Sequence, residues 1–336
     1  MKVCVVGAGA IGGLMAAKLA LAGEDVTIID QGKHLRAIQD NGLKLIWGDG
    51  TEQVARIAKA TDNVAEAGKQ DIVILAVKAH YLEKVARQMP SITGPDTMIV
   101  TVQNGIPWWY FHKHGGPHQG KRLETLDPDG TLGKFIDGDK IIGCVVYPAA
   151  AIEAPGVIHH VEGDRFPLGE LDGKTTPRVQ KLHDALVKAG FKSRILEDIR
   201  SEIWLKAWGN LSFNPISALT HATLVDICQF PETRRLAAAM MAEAQQIAEK
   251  LGIVFRHTIE KRIEGAAGVG KHKTSMLQDV EAGRSLETEA LVGAVLELGK
   301  ITQTPAPSIE AVYACVKLLN KIMLLEGGGV RVSHAA

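Results

Sequence analysis

The chain has 336 residues, long enough for two domains that each bury a core of their own. Its 38 Lys and Arg side chains are balanced by 38 Asp and Glu, so no net field recruits nucleic acid or an anionic membrane surface. Outside the glycine-rich opening there is no run of eighteen or more apolar residues, so no membrane span is expected.

The first predicted element is the apolar run Lys2-Val3-Cys4-Val5-Val6. It leads into Gly7-Ala8-Gly9-Ala10-Ile11-Gly12, a helical stretch through Ala22, then Gly23 and a second β-rich run that ends on Asp30. Strand, G-x-G-x-x-G, helix and strand, with an acidic residue 18 positions after the last glycine, make up the dinucleotide-binding fingerprint. Gly7 permits the tight turn, Gly9 lets the backbone approach a pyrophosphate, and Gly12 lets helix and strand pack closely. Ala8, Ala10 and Ile11 complete the cofactor turn, and the start of the helix offers free N–H groups to phosphate. A secretory or membrane helix over 3–22 is disfavoured by this register, by Lys18 inside the run, and by the β-α pattern that follows.

A helical stretch at 34–41 comes next, then short β runs at 43–47 and 52–57 about a Gly-Asp-Gly turn. The continuous apolar runs 72–77 and 98–102 predict parallel strands covered on both faces. Strands separated by helices imply a doubly wound sheet, which binds ligands beyond the carboxyl ends of its strands. Lys78 and Asn104 stand at two such ends. Residues 108–140 break the pattern, and a surface excursion, usable as a lid, is expected there. His112, His114 and His118 lie in it, but no carboxylate or Cys shares a ligand-like spacing with them, so no metal is expected. β signals resume at 141–147, 156–161 and 166–169, and a helix at 176–189 precedes a closing strand at 192–196.

From 199 onward the periodicity is helical, with helices expected at 234–251, 259–264, 285–302 and 308–325. The fold class is therefore α/β plus all-α: a Rossmann-type domain over 1–198, an all-helical domain over 199–326, and a disordered tail over 327–336. Cys4, Cys144, Cys228 and Cys315 are widely spaced in apolar surroundings. Buried free thiols and a cytoplasmic location are expected.

Lys206, Asn210 and Asn214 are spaced i, i+4, i+8 and share one helix face; Trp204 and Trp208 share another, which reads as core. A lysine in so apolar a segment needs partners or a lowered pKa, and a lowered pKa suits a general acid near neutral pH. The two amides can hydrogen-bond a polar substrate without competing for its proton.

Gly7 to Gly12, Val77-Lys78, Gln103-Asn104-Gly105, Trp204-x-Lys206-x3-Asn210-x3-Asn214-Pro215 and Ser275-Met276-Leu277-Gln278-Asp279 follow in order and spacing. With Glu287, twelve residues after Ser275, the set resembles the ketopantoate reductase family over residues 1 to about 325. The resemblance implies a Rossmann-type domain, a helical domain, and an active site in the cleft between them. It makes Lys206 the proton donor and gives Asn104, Asn210, Asn214 and Ser275 to the substrate. It has Lys78 orient cofactor and substrate, and Glu287 bridge substrate or cofactor to Lys206. The polar groups of Asn210, Asn214 and Ser275 are expected to lie inside apolar helix.

The activity implied is reduction of a 2-oxo acid, foremost ketopantoate on the way to pantothenate, with another branched or aromatic 2-hydroxy acid as alternative. The partner is a small molecule, with no nucleic acid and no membrane; a homodimer is left open. A non-catalytic nucleotide sensor on the same fold would need none of Lys206, Asn210 and Asn214. Three departures from the family matter. Asp30-Gln31 stands where NADPH-preferring members carry an Arg, which favours NAD(H) over NADP(H). Leu224 replaces a substrate amide, and 108–140 lengthens the loop after Asn104.

Overall fold

A computed structural model describes residues 1–330. The chain divides into two compact units: residues 1–103, 108–122 and 127–199, and residues 104–107, 123–126 and 200 onward.

The first unit runs β1 (Lys2–Val6), α1 (Ala10–Leu21), β2 (Asp25–Ile29), α2 (Gly32–Asn41), β3 (Leu43–Ile46), β4 (Glu52–Ala55), β5 (Lys59–Thr61), β6 (Gln70–Leu75), α3 (Leu82–Ala86), α4 (Met89–Ile92) and β7 (Thr93–Thr101). It continues with α5 (Thr131–Phe135), β8 (Ile141–Cys144), β9 (Ala149–Ala154), β10 (Val157–Glu162), β11 (Arg165–Glu170), α6 (Pro177–Lys188) and β12 (Lys192–Ile195). Its main sheet has the order β12-β11-β8-β7-β6-β1-β2-β5. Strand β1 is central and parallel to both neighbours, Val5 lying opposite Ile28 and Ile74. The apolar runs of β1, β2, β6 and β7 are buried, and Leu14, Met15, Ala16 and Ala17 of α1 pack against the sheet with no exposed surface. Burial on both faces is what their unbroken hydrophobicity requires. Helix α6 starts where Thr176 accepts a hydrogen bond from the Val179 N–H at 3.3 Å, with Pro177 in its first turn.

A second sheet, β4-β3-β10-β9, joins residues more than ninety positions apart. The sequence pattern names β3, β4 and β10 as β runs, misses β9, and says nothing of this pairing. The segment after Asn104 also differs from expectation. Trp108, Trp109, Tyr110 and Phe111 are buried rather than lifted to the surface. The Trp109 Nε1–H donates to Thr101 Oγ1 at 3.0 Å, and the Tyr110 and Phe111 rings meet edge to face. His114 and His118 pack on the Phe111 ring. Four consecutive large aromatics bury too much area to be left in water.

The second unit is helical: α7 (Ile199–Thr220), α8 (Leu224–Gln229), α9 (Pro231–Lys250), α10 (Ile259–Gly268), α11 (Ser275–Glu281), a π-helical turn (Glu289–Gly293), α12 (Ala294–Ile301) and α13 (Pro307–Glu326). The sequence led to one helix over 285–302; the structure breaks it at the π turn. Of the expected disordered tail, residues 327–330 are held in place: the Val330 N–H donates to the Val280 carbonyl at 3.2 Å. Residues 331–336 lie outside the described part. Cys4, Cys144 and Cys228 are buried, but Cys315 is exposed, contrary to its apolar sequence context. Burial pushes the Cys4 thiol up to about 12. Among the described residues no helix is long and apolar enough to cross a membrane, and no cluster of three metal-ligating side chains occurs.

Candidate active site

In the first unit the glycine turn is shaped by missing side chains. Gly7 has φ +93°, and its N–H donates to the Ile29 carbonyl at 2.8 Å, closing the turn onto the end of β2. A Cβ on Gly12 would overlap the Gly7 carbonyl oxygen and lie 2.8 Å from Ala76 Cβ, so helix and strand can approach only through glycine. Around Gly9 nothing lies within 4 Å of where a Cβ would be, leaving its backbone open to a ligand. No side chain caps α1, so N–H groups of Ala10, Ile11 and Gly12 can serve an anion. The cradle fits a dinucleotide pyrophosphate.

Asp30 is built into this turn. Its Oδ2 accepts from the Ala8 N–H at 2.7 Å and its Oδ1 from the Gln31 N–H at 2.6 Å. Each carboxylate oxygen keeps a lone pair for a ribose hydroxyl. Of the nearby cations, Lys33 and Arg36 are exposed, whereas His34 is engaged: its Nδ1 accepts from the Gly156 N–H at 3.1 Å. Lys78, half-buried, follows β6 and opens the short 3-10 turn Ala79–Tyr81. Gln103 enters the sequence reading only as part of Gln103-Asn104-Gly105, without a role of its own. Its Nε2 donates to the Leu75 and Val77 carbonyls at 2.6 and 3.0 Å, pinning the segment that carries Lys78. Its Oε1 is buried and has no hydrogen-bond partner among the described residues, as suits a waiting ligand donor.

In the second unit α7 presents two faces. Trp204 and Trp208 are fully buried; the Trp208 Nε1–H donates to the Met241 carbonyl at 2.7 Å and its ring meets Phe255 at 4.4 Å. The other face carries Lys206 and Asn210, both half-buried, and Asn214, which is 6% exposed. Pro215 follows inside the helix, and its missing N–H breaks the backbone ladder beside Asn214. The Lys206 Nζ donates to Asn104 Oδ1 at 2.6 Å, so residues 102 positions apart form one polar pair.

The pair depends on the π turn. Gly105 has φ +86°, and a Cβ there would overlap the Ala290 carbonyl. The Ile106 N–H donates to that same carbonyl at 2.9 Å, fixing the loop that carries Asn104. The turn is braced from α13: the Tyr313 hydroxyl donates to Glu289 Oε2 at 2.6 Å, and the Lys317 Nζ reaches Tyr313 Oη at 2.9 Å and Glu289 Oε1 at 3.1 Å. Burial and the Glu289 carboxylate raise the Tyr313 pKa; the bonds to Tyr313 and Glu289 raise that of Lys317. Glu287 is half-buried just ahead of this turn, beside Leu286, whose N–H donates to Asn320 Oδ1 at 2.9 Å.

Ser275 is not inside an apolar helix. It is exposed in the first turn of α11, after the cap Thr274, whose hydroxyl accepts from the Leu277 N–H. Leu224 is half-buried at the start of α8, its N–H donating to the His272 carbonyl at 3.0 Å. Together α7 and its neighbours offer a held ammonium and two amides beside it, a set that can protonate and orient a polar substrate.

Residues 3–173 match the model of the ketopantoate reductase PanE/ApbA family, and residues 198–320 match that of the ketopantoate reductase PanE/ApbA C-terminal region. A 2-dehydropantoate 2-reductase from Mesorhizobium japonicum is 53% identical over 95% of this chain and 98% of its own length. One from Halobacterium salinarum is 27% identical over 96% and 99%. A crystal structure from Ralstonia solanacearum MolK2, provisionally named a ketopantoate reductase, superposes with a TM-score of 0.91 at 39% identity, covering 96% of this chain and 98% of that one. D-mandelate dehydrogenase with NADH and anilino(oxo)acetate, at 22% identity and a TM-score of 0.82, shares the fold. On matches that together cover most of its length, the chain belongs to the ketopantoate reductase family.

Proposed function

We propose that this protein is an oxidoreductase that reduces 2-dehydropantoate (ketopantoate) to pantoate with a nicotinamide dinucleotide, NAD(H) in preference to NADP(H). The observation that carries the reading is the Lys206 Nζ to Asn104 Oδ1 hydrogen bond at 2.6 Å, on the helix face that also holds Asn210 and Asn214. A bound reduced nicotinamide supplies the hydride to the carbonyl carbon. Lys206 holds the proton that the developing alkoxide takes up, and Asn104 fixes the ammonium so that little reorganisation is needed. Asn210, Asn214 and Ser275 hold the polar groups of the oxo acid, and Glu287 orients Lys206. Gly7 to Gly12 and Lys78 hold the dinucleotide. The Asp30 carboxylate receives ribose hydroxyls and would repel a 2′-phosphate as a like charge. The buried, unbridged Cys4, Cys144 and Cys228 support a reducing cytoplasm.

Steady-state assays with ketopantoate and with straight, branched and aromatic 2-oxo acids, using NADH and NADPH and followed by nicotinamide absorbance, test the reading. Ketopantoate should give the highest kcat/KM. Absence of turnover with every 2-oxo acid would favour a nucleotide sensor. Leu224, an apolar side chain where family members place an amide, supports a second reading: another branched or aromatic 2-hydroxy acid, which a preference for such a substrate in the same panel would establish.

A further inference from the structure

Gln103 stands two residues past the end of β7, in the same unit as the glycine turn. Its side chain crosses to the neighbouring strand β6, where both Nε2 hydrogens are committed, one to the Leu75 carbonyl at 2.6 Å and one to the Val77 carbonyl at 3.0 Å. The segment so held is a wall of the glycine turn. A Cβ on Gly7 would lie 3.0 Å from the Val77 backbone nitrogen, and one on Gly12 would lie 2.8 Å from Ala76 Cβ. With two bonds fixing the amide, Oε1 cannot swing away, and it is buried without a hydrogen-bond partner among the described residues. An acceptor in that state weakens the fold unless something donates to it.

We propose that Gln103 Oε1 accepts a hydrogen bond from the carboxamide N–H of the nicotinamide ring, an assignment that rests on the dinucleotide reading above. The strand order supports it. Strand β1, which leads into the turn for the pyrophosphate, has β2 on one side and β6, then β7, on the other. With Asp30 at the end of β2 receiving the adenosine ribose, the rest of the dinucleotide runs the opposite way, over the carboxyl ends of β6 and β7. Strand β7 is two strands from β1, about 9–10 Å. The nicotinamide ribose is joined directly to the pyrophosphate and stays nearer β1, so the carboxamide is the donor that reaches farthest. A neutral amide also serves both oxidation states, because it adds no charge that would favour the cationic oxidised ring. Held by its carboxamide, the ring cannot spin about its bond to the ribose, and one face is kept toward the substrate.

Calorimetric titration of the full chain with NAD, with acetylpyridine adenine dinucleotide and with ADP-ribose tests the assignment. The acetyl group has nearly the shape of the carboxamide but carries no N–H, and both riboses keep their hydroxyls. The wild type should bind the acetyl analogue about 5- to 50-fold more weakly than NAD. In Gln103→Met, which keeps the length and removes the acceptor, the two affinities should agree within about 2-fold. Loosening of the pinned segment would weaken both nucleotides alike and cancel in their ratio, so a purely structural role leaves the ratio at its wild-type value. Equal wild-type affinities, as expected if a ribose hydroxyl fills the acceptor, overturn the proposal without need of a variant. So does a ratio unchanged in Gln103→Met. No binding of any of the three ligands would sink the dinucleotide site itself and this assignment with it. Binding of ADP-ribose and NAD without discrimination at the ring would sink only the role of Gln103.

Discussion

In the turn after β1 the groups proposed to recognise a ligand are backbone N–H groups, and side chains matter there by their absence. Along α7 the groups proposed for recognition are side chains, and the backbone is spent on the helix. A Cβ at Gly12 has no room, because the Gly7 carbonyl already occupies it. Lys206 and Asn210 are only half-buried, so their substitution need not disturb packing. The first region should therefore fail through structure and the second through chemistry.

The largest effect expected is that of Lys206→Ala, which should lower kcat by roughly two to four orders of magnitude, the usual span for a positioned acid or base. Cofactor affinity, measured by fluorescence titration, should change little. Near-wild-type turnover on the best substrate would remove Lys206 from its role. Gly12→Ala is the counterpart in the other region. Its forced overlap should cost about 1–3 kcal/mol in urea unfolding and abolish tight nucleotide binding. An unchanged unfolding midpoint would mean that the turn relaxes freely.

Asn214 probes the boundary between the two kinds of failure, since it is both polar and buried. Asn214→Ala should weaken oxo-acid binding by about 1–3 kcal/mol, read in KM, if a ligand group is left unpaired. A large fall in Tm with KM unchanged would make it a structural hydrogen-bonder instead. Asp30→Ala should lower kcat/KM for NADH several-fold and raise the relative use of NADPH, most clearly at low ionic strength. If the wild type already prefers NADPH and the variant is neutral, the exposed Lys33 and Arg36 override the carboxylate.

The smallest effect belongs to Lys18 of α1, a buried ammonium that donates to the Gly190 carbonyl at 2.9 Å and lies over the Phe191 ring. Burial lowers its pKa below 10.5, opposed by Asp164. Between that lowered value and 10.5 the unfolded chain holds a proton that the native state has lost. Stability should therefore rise with pH across this window, relative to Lys18→Met, which lacks the group. Paired urea unfolding curves across alkaline pH check the sign; a difference that falls with pH would contradict it.

Much of this was legible in the sequence because periodicity is local. The glycine register, the runs of β1, β2, β6 and β7, and the i, i+4, i+8 stripe of α7 are all patterns within one element. What the pattern left unstated was set by distant partners. The pairing of β3 with β10 and the reach of Asn104 to Lys206 depend on loops closing over a hundred residues or so. The π turn at 289–293 has helical composition and differs only in which carbonyl it releases. Trp108 to Phe111 could have been read correctly: polar neighbours drew attention from four aromatics that needed burial. Ser275 and Cys315 show the opposite error, in which apolar context implied burial and the helix surface delivered exposure.

The seating of Gly105 against Ala290 has a practical consequence for anyone who cuts and rejoins this chain. Asn104–Pro107 and Leu123–Leu126 count with the helical unit although they lie within the strand-rich half of the sequence. A chimera spliced at residue 200, taking the helices from this protein and everything before them from a relative, would give Lys206 an acceptor loop evolved for a different π turn. A functional graft must carry these two short loops along with the helices.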